Sequence, residues 1–479
     1  MSVVTHTPLL DAANLRQAGR DPEVPFRITL AEGKELTMRR LLRVLPGKRI
    51  VGEAEYAGLR VLAKLFIAVG SERHWQQEKA GVEALHEAGL PTPDIVCSSP
   101  FTGGGFALLT RFFPDAVSLI ERWRDVACLP VAAPEALAVL KPVLEILARM
   151  HQSGLKQDDL HLGNFLCVDQ SLLVIDGDSV QRVGRPLSIE AAAGNLGMLL
   201  AQLPAAWDAQ CAALLKSYVE ANGIAGIRLD MLQAEINRVR AWRLKDFLAK
   251  SVRDCTLFEV STSASKFSSV RRMSAGRLSG LLANLDNQLD KGLRLKSGNT
   301  CTVGRVASPD GDVVVKRYNL KNTAHALSRM WRPSRAWHSW REGHRLGLFG
   351  IATPLPLALV EERFGPLRRR AWLVNEYCPG ESLAVHLSPD AVPPTAEAQA
   401  IASLFSTLHR LRISHGDLKA TNLLWHAGQV WLIDLDACTQ HRSDDAYRKA
   451  WRRDRARLLR NWPANSKLVA WLQEHLPRV

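Results

Sequence analysis

Two stretches of this chain set an aspartate, an asparagine five residues on and a second aspartate twelve beyond that inside an apolar frame. One reads "QDDLHLGNFLCVDQSLLVIDGD", Gln157 to Asp178, and the other "HGDLKATNLLWHAGQVWLIDLD", His415 to Asp436. Asp159, Leu160, Asn164, Ile175, Asp176 and Asp178 fall without a gap on Asp417, Leu418, Asn422, Ile433, Asp434 and Asp436, and upstream His151 falls on His409. A carboxylate can take the proton of a hydroxyl, whereas an amide oxygen and a second carboxylate are hard ligands suited to Mg²⁺. Together with a lysine to steady phosphates, such a set serves phosphoryl transfer from ATP, where the protein supplies position and charge neutralisation rather than covalent chemistry. One copy alone would be read as a turn or a helix cap, both of which favour Asp and Asn. Two copies in register point to chemistry.

The elements that must position these residues also repeat. "AGLRVLAKLFIAV" is a β-like run carrying Lys64, followed by the helical "SERHWQQEKAGVEALHEAGLPTP" with Glu78. "DGDVVVKRYNL" carries Lys316 and precedes "SRAWHSWREGHRLGLFGIATP" with Glu342. "FALLTRFFPDAVSL" and "AWLVNEYCPGESL" then read as strands running into Pro-containing turns, suited to connecting two lobes. "FLCVDQSLLVI" and "LLWHAGQVWLI" are expected to be hairpins that return the second Asp beside the Asn. The roles follow in order: Lys64 and Lys316 on the phosphates, Glu78 and Glu342 holding those lysines, Asp159 and Asp417 as bases, and Asn164, Asp176, Asn422 and Asp434 on Mg²⁺. Asp178 and Asp436 read as caps of the next turn, and His151 and His409 as core histidines that buttress the loop. Lys419 is placed to reach the transferring phosphate, with His161 at the matching position of the first copy.

The expected fold class is α+β: two tandem protein-kinase-like domains, each with a small β-rich N-lobe and a helical C-lobe. The second C-lobe must be short, because only 45 residues follow Asp434 (479 − 434). Residues 1–260 form the expected first domain, 261–292 a basic, Ser-rich junction, and 293–479 the second domain. Neither copy has a GxGxxG loop; "LPGKRIVGEAEYAG" and "LKSGNTCTVGRV" only approximate one.

The two Asp/Asn motifs resemble those of the lipopolysaccharide kinase family, the Kdo and heptose kinases. The resemblance implies a protein-kinase-like fold, ATP and Mg²⁺ as cofactors, and a sugar hydroxyl of lipopolysaccharide core, or a lipid-A-linked sugar, as acceptor at the cytoplasmic face of the inner membrane. In the first copy Gln157 stands where a His normally opens the catalytic loop, which leaves a regulatory role open for that unit. The rival readings are a kinase of another small molecule or of protein, and a non-catalytic nucleotide-binding pseudokinase scaffold in envelope assembly.

Composition agrees with a folded protein: 47% hydrophobic and 23% charged over 479 residues. The formal charge of +14 favours an anionic partner. Eight scattered cysteines without metal-ligand spacing, and an N-terminus without the pattern of a signal peptide, suggest a cytoplasmic location. The Arg- and Trp-rich stretches from Ser328 to Arg345 and from Tyr447 to Trp462 suit peripheral contact with an anionic membrane surface, against the plainer reading of a solvated Arg face over a buried Trp face. Nucleic acid is not expected as a partner, since no zinc-finger spacing, RNP-like strand or helix-turn-helix is present.

Overall fold

The computed structural model describes residues 7–298, 301–319, 333–365 and 367–478. The chain divides into two compact units, Met1–Gln202 with Ala209–Asn237, and Leu203–Asp208 with Arg238–Val479. Each unit is an α+β body.

In the first unit six antiparallel strands form one sheet, in the order Phe26–Thr29, Glu35–Leu45, Arg49–Tyr56, Leu59–Phe66, Gly105–Arg111, Ile95–Phe101. Side chains alternate across a strand, so Val61, Ala63 and Leu65 enter the core while Lys64 points to the opposite face. The helix Glu72–Glu87 follows, and its Gly81 is pressed against the loop after Asp176. A Cβ at Gly81 would lie 1.9 Å from the Gly177 carbonyl oxygen, and one at Gly177 would lie 2.3 Å from that of Glu78. The helical lobe starts with Pro134–Gln152, opened by a proline at its first turn, where no backbone N–H is needed. A short strand, Leu155–Gln157, and the hairpin Phe165–Val168 with Ser171–Val174 come next, then the helix Ile189–Leu200.

The second unit has a seven-stranded antiparallel sheet, in the order Phe258–Thr262, Lys266–Arg271, Pro356–Phe364, Leu367–Glu376, Val313–Tyr318, Cys301–Val306, Leu293–Ser297. Val313 and Val315 are buried beneath it, and Lys316 again takes the other face. The helix Arg335–Leu348 is capped by Ser334, whose hydroxyl accepts from the Trp337 N–H. The lower lobe holds Thr395–Arg410, the hairpin Leu423–His426 with Gln429–Leu432 and, among the described residues, two α-helices after the motif, Asp444–Leu459 and Lys467–His475. Ala427 and Gly428 both have positive φ, as a two-residue turn of this hand requires.

The segment 261–292, expected to be a junction, lies within the second unit. Lys266–Arg271 pairs with both Phe258–Thr262 and Pro356–Phe364, and the helices Arg272–Ala283 and Leu285–Lys291 follow it. Serines disguise this strand: Ser269 is fully buried and donates to the Ser251 carbonyl at 2.7 Å, so it serves as a core residue. The boundary between units falls inside the helix Leu229–Lys250, upstream of the expected one at 260.

The tryptophans of the basic stretches are mostly core. Trp340, Trp451 and Trp462 are buried and Trp337 partly so; residues 328–332 lie outside the described residues. Trp451 packs with Phe405, and its indole N–H donates to the Pro477 carbonyl at 2.9 Å. Trp451→Ala is therefore expected to cost about 3–5 kcal/mol in chemical unfolding of the second unit, whereas Trp242→Ala, at a site 66% exposed, should stay within about 0.5 kcal/mol.

Candidate active sites

In both units the hairpin does what its sequence suggested. The Ile175 N–H donates to the Asn164 carbonyl at 2.8 Å and the Ile433 N–H to that of Asn422 at 3.0 Å, which brings the second aspartate of each motif beside the asparagine. Asp176 and Asp434 both sit in the left-handed region, φ 66° and 60°. Aspartate enters that region more readily than most residues, and the kink turns each carboxylate toward the sheet lysine.

In the first unit the Lys64 ammonium lies 2.5 Å from Glu78 and 2.7 Å from Asp176. Burial alone would lower the pKa of this ammonium, but the two carboxylates outweigh it and raise the value. Burial raises and Lys64 lowers the Asp176 carboxyl, with the lysine prevailing. Glu78 also accepts the Gly177 N–H at 3.0 Å, an approach that the glycine contact permits. Asp178 is not a simple cap: it pairs with Arg49 at 3.0 Å.

The second unit brings Lys316 onto Asp434 as expected, and also within 2.9 Å of Asp436. It does not bring Lys316 to Glu342. That residue is buried and pairs with Arg345 at 2.9 Å, while Arg345 reaches Gln440 at 2.6 Å. The Leu90 N–H to Leu85 and Ile351 N–H to Leu346 bonds, and the matching Thr92 and Thr353 hydroxyls on the Val174 and Leu432 carbonyls, set the two helices in register 261 residues apart. Ser339 therefore stands at the position of Glu78, and Glu342 and Leu435 stand at those of Gly81 and Gly177, so side chains occupy the positions where helix and loop touch through glycines in the first unit. Asp436, expected to be a cap, is partly buried and takes Lys316, Arg335, Tyr318 and Ser339 as partners.

The base positions differ. Asp417 is gripped by Arg457 at 2.6 Å and Lys419 at 3.1 Å. Burial pushes its carboxyl up, and these cations outweigh burial to hold it below the usual aspartate range. Asp159 is exposed and has no ion-pair partner among the described residues.

Several supporting residues escaped the sequence reading. The side chain of Gln157 donates to the carbonyls of Ile175 and Asp176, both at 3.0 Å, and so does the work that His415 Nε2 does on the Ile433 carbonyl at 2.9 Å. Asp454 accepts the N–H groups of His415 and Gly416 at 2.7 and 3.0 Å, and in the first unit Asn195 accepts from the Gln157 N–H at 3.4 Å and donates to its carbonyl at 2.7 Å. The signal for Asp454 was present: a lone acid in an arginine run, on the helix face of Trp451 and Leu458.

The donor set suits a magnesium nucleotide. The Asn164 side-chain oxygen is buried without a hydrogen-bond partner among the described residues. The Asn422 amide nitrogen is spent on the Asp417 carbonyl at 2.9 Å, which leaves its oxygen as the available end. Lys316, Asn422, Asp434 and Asp436 line a cleft of about 440 Å³ within the second unit, together with Val303, Val314, Leu373 and Leu424 and the connector residues Glu376–Cys378. Apolar walls with a few convergent polar groups are what a nucleotide requires.

Fold and cleft define the class as protein-kinase-like. Residues 291–472 match the model of the Lipopolysaccharide kinase (Kdo/WaaP) family. The chain is 30% identical over 158 residues to a 3-deoxy-D-manno-octulosonic acid kinase of Xylella fastidiosa, covering 32% of this chain and 61% of that protein. It is 34% identical over 94 residues to one of Photobacterium profundum, covering 19% and 39%. The chain thus spans less than two thirds of these relatives. Among solved structures it is similar to WaaP in complex with acyl carrier protein, at TM-score 0.32 and 20% identity over 43% of this chain and 86% of that one. It is also similar to the Mycobacterium tuberculosis PknI kinase domain, at TM-score 0.30 and 16% identity over 45% and 97%.

His151 yields a pH test. Its Nδ1 accepts from the Tyr218 hydroxyl at 2.8 Å and its Nε2–H donates to Asn195 at 3.1 Å, the neutral tautomer being the one this pattern satisfies. Burial drives its pKa down to about 4, against a weaker upward pull from Asn195. The unfolded chain, with an ordinary histidine, binds the extra proton first. Stability from this group is therefore complete above about pH 6.5 and is lost as pH falls toward 4, by about 3 kcal/mol. Denaturant titrations of the wild type and His151→Gln across this window should show the steeper decline in the wild type.

Proposed function

We propose that the chain is an ATP-dependent kinase that transfers the γ-phosphate to a sugar hydroxyl, heptose or Kdo, of the lipopolysaccharide inner core at the cytoplasmic face of the membrane. The observation that carries this reading is the Lys316 ammonium bonded to Asp434 in a cleft that Asn422 also lines. Asn422 and Asp434 would hold Mg²⁺, whose charge would offset that of the triphosphate. Lys316 neutralises phosphate oxygens. Asp417 orients the acceptor hydroxyl and takes its proton, and Lys419 and Arg457 keep that carboxylate ionised until it does. In the first unit Lys64, Glu78, Asn164 and Asp176 form a second nucleotide clamp, with Asp159 as base.

Between the two sugars, Kdo is the better fit to the base's surroundings. Arg457 and Lys419 flank Asp417, and Arg453 and Arg460 extend the cationic face of the same helix. Kdo carries a carboxylate for which Arg offers a two-point fork; a neutral heptose does not. The names of the matched relatives point the same way. The exposed arginines, without the buried tryptophans, would also favour an anionic membrane surface; among the described residues no helix is long and apolar enough to cross a membrane.

Purified protein, labelled ATP, Mg²⁺ and core-dephosphorylated lipopolysaccharide provide the test, with a mass gain of one phosphate on the core as the expected product. Asp417→Ala should lower transfer by about 10²–10⁴-fold if the second unit is the catalyst; an unchanged rate would move the chemistry to Asp159. No transfer by a folded wild-type protein would count against the whole proposal. Arg457→Ala should raise KM for the sugar acceptor by about tenfold and leave KM for ATP within about twofold, since an arginine–carboxylate contact is among the stronger polar contacts.

A further inference from the structure

The two units hold their lysines by different means, and the difference is written in side chains on three elements. In the first unit the helix residue Glu78 grips Lys64 at 2.5 Å, while Asp178 is turned to Arg49. In the second unit Glu342 is turned to Arg345, and Lys316 is gripped by Asp436 at 2.9 Å. Asp436 is only 9% exposed and both of its oxygens are occupied. Oδ1 accepts from the Tyr318 hydroxyl at 2.7 Å and from Ser339 at 2.7 Å, and Oδ2 from Arg335 at 2.5 Å as well as from Lys316. Tyr318 lies on the lysine strand, and Arg335 and Ser339 on the helix that carries Glu342. The loop carboxylate thus ties strand and helix together, as Glu78 ties strand and loop in the other unit.

The sequence carries the same distinction. Two residues after Lys64 stands Phe66, without the hydroxyl of Tyr318. In the register set by the bonds at the helix ends, Ser339 stands at the position of Glu78 itself and Arg335 at that of His74. None of the three helpers of Asp436 has an equivalent in the unit where the helix glutamate does the gripping.

We propose that Asp436, and not Glu342, is the positioning residue for Lys316, so that the phosphate clamp of the second unit is built on the loop that also carries Asp434. The proposal rests on the reading of this cleft as a nucleotide site. Its consequence is that Lys316 stays in place when Asp434 is engaged elsewhere, without any inward movement of the helix.

The test uses the full chain carrying Asp159→Asn, so that turnover reports the second unit alone, with binding of a fluorescent ATP analogue as a readout independent of turnover. Asp436→Asn should raise KM for MgATP and weaken analogue binding by about tenfold or more, with partial recovery in Asp436→Glu, because charge-assisted contacts are about twice as strong as neutral ones. Tyr318→Phe, which installs the side chain found at Phe66, should raise KM for MgATP severalfold with little change in melting temperature or in KM for the sugar. It keeps the test decisive if Asp436→Asn fails to fold. Glu342→Gln should lower the melting temperature through loss of its Arg345 pair, yet keep KM for MgATP within about threefold, as expected for a contact outside the clamp. The reverse pattern, ATP affinity lost in Glu342→Gln and kept in Asp436→Asn or Tyr318→Phe, would overturn the proposal. Failure of the parent protein to bind the analogue would instead remove the nucleotide reading, and this one with it.

Discussion

A lysine ammonium held between a sheet and a loop, largely out of water, is tolerated only if carboxylates meet it. Both units are organised by that demand. Lys64 and Lys316 each lie on a central strand whose opposite face is fixed in the core, so neither can swing away from the loop. Asp176 and Asp434 each adopt a left-handed kink that an ordinary residue would resist, and the hairpin before them fixes where the kink occurs. The sheet supplies the cation, the hairpin supplies the anion, and the cleft between them follows from their separation.

The support beneath the loops shows one geometry reached with different side chains. An amide at Gln157 and an imidazole at His415 donate to the same hairpin-end carbonyl. Asn195 and Asp454, each on a helix that follows its motif, hold the backbone where the loop begins. Asp454 is buried and takes two N–H donors, which suits a group that can only accept; Asn195 both donates and accepts, which suits its place between His151 and the Gln157 backbone.

Much of this was legible in the amino-acid order because the relevant spacings are local. The Asp-to-Asn interval and the hairpin length are properties of a continuous segment, and period-two burial marked both lysine strands. What failed depended on distance. Glu342 has the right residue type on the right helix, but it lies about one turn too far along it, at the position of Gly81, and Ser339 occupies the position of Glu78. Asp436 looked like a turn cap because its four partners are more than ninety residues away. The strand Lys266–Arg271 was hidden because serines can fill a sheet interior when a carbonyl such as that of Ser251 receives their hydroxyl.

The glycine contact of the first unit constrains how such a protein can change. A methyl group at Gly81 would collide with Gly177, and one at Gly177 would collide with the backbone at Glu78. Neither position can therefore gain a side chain without the helix backing away, and a helix that backs away carries Glu78 off Lys64. An ancestral site that admitted bulk here would keep a held lysine only if some other acid were already within reach.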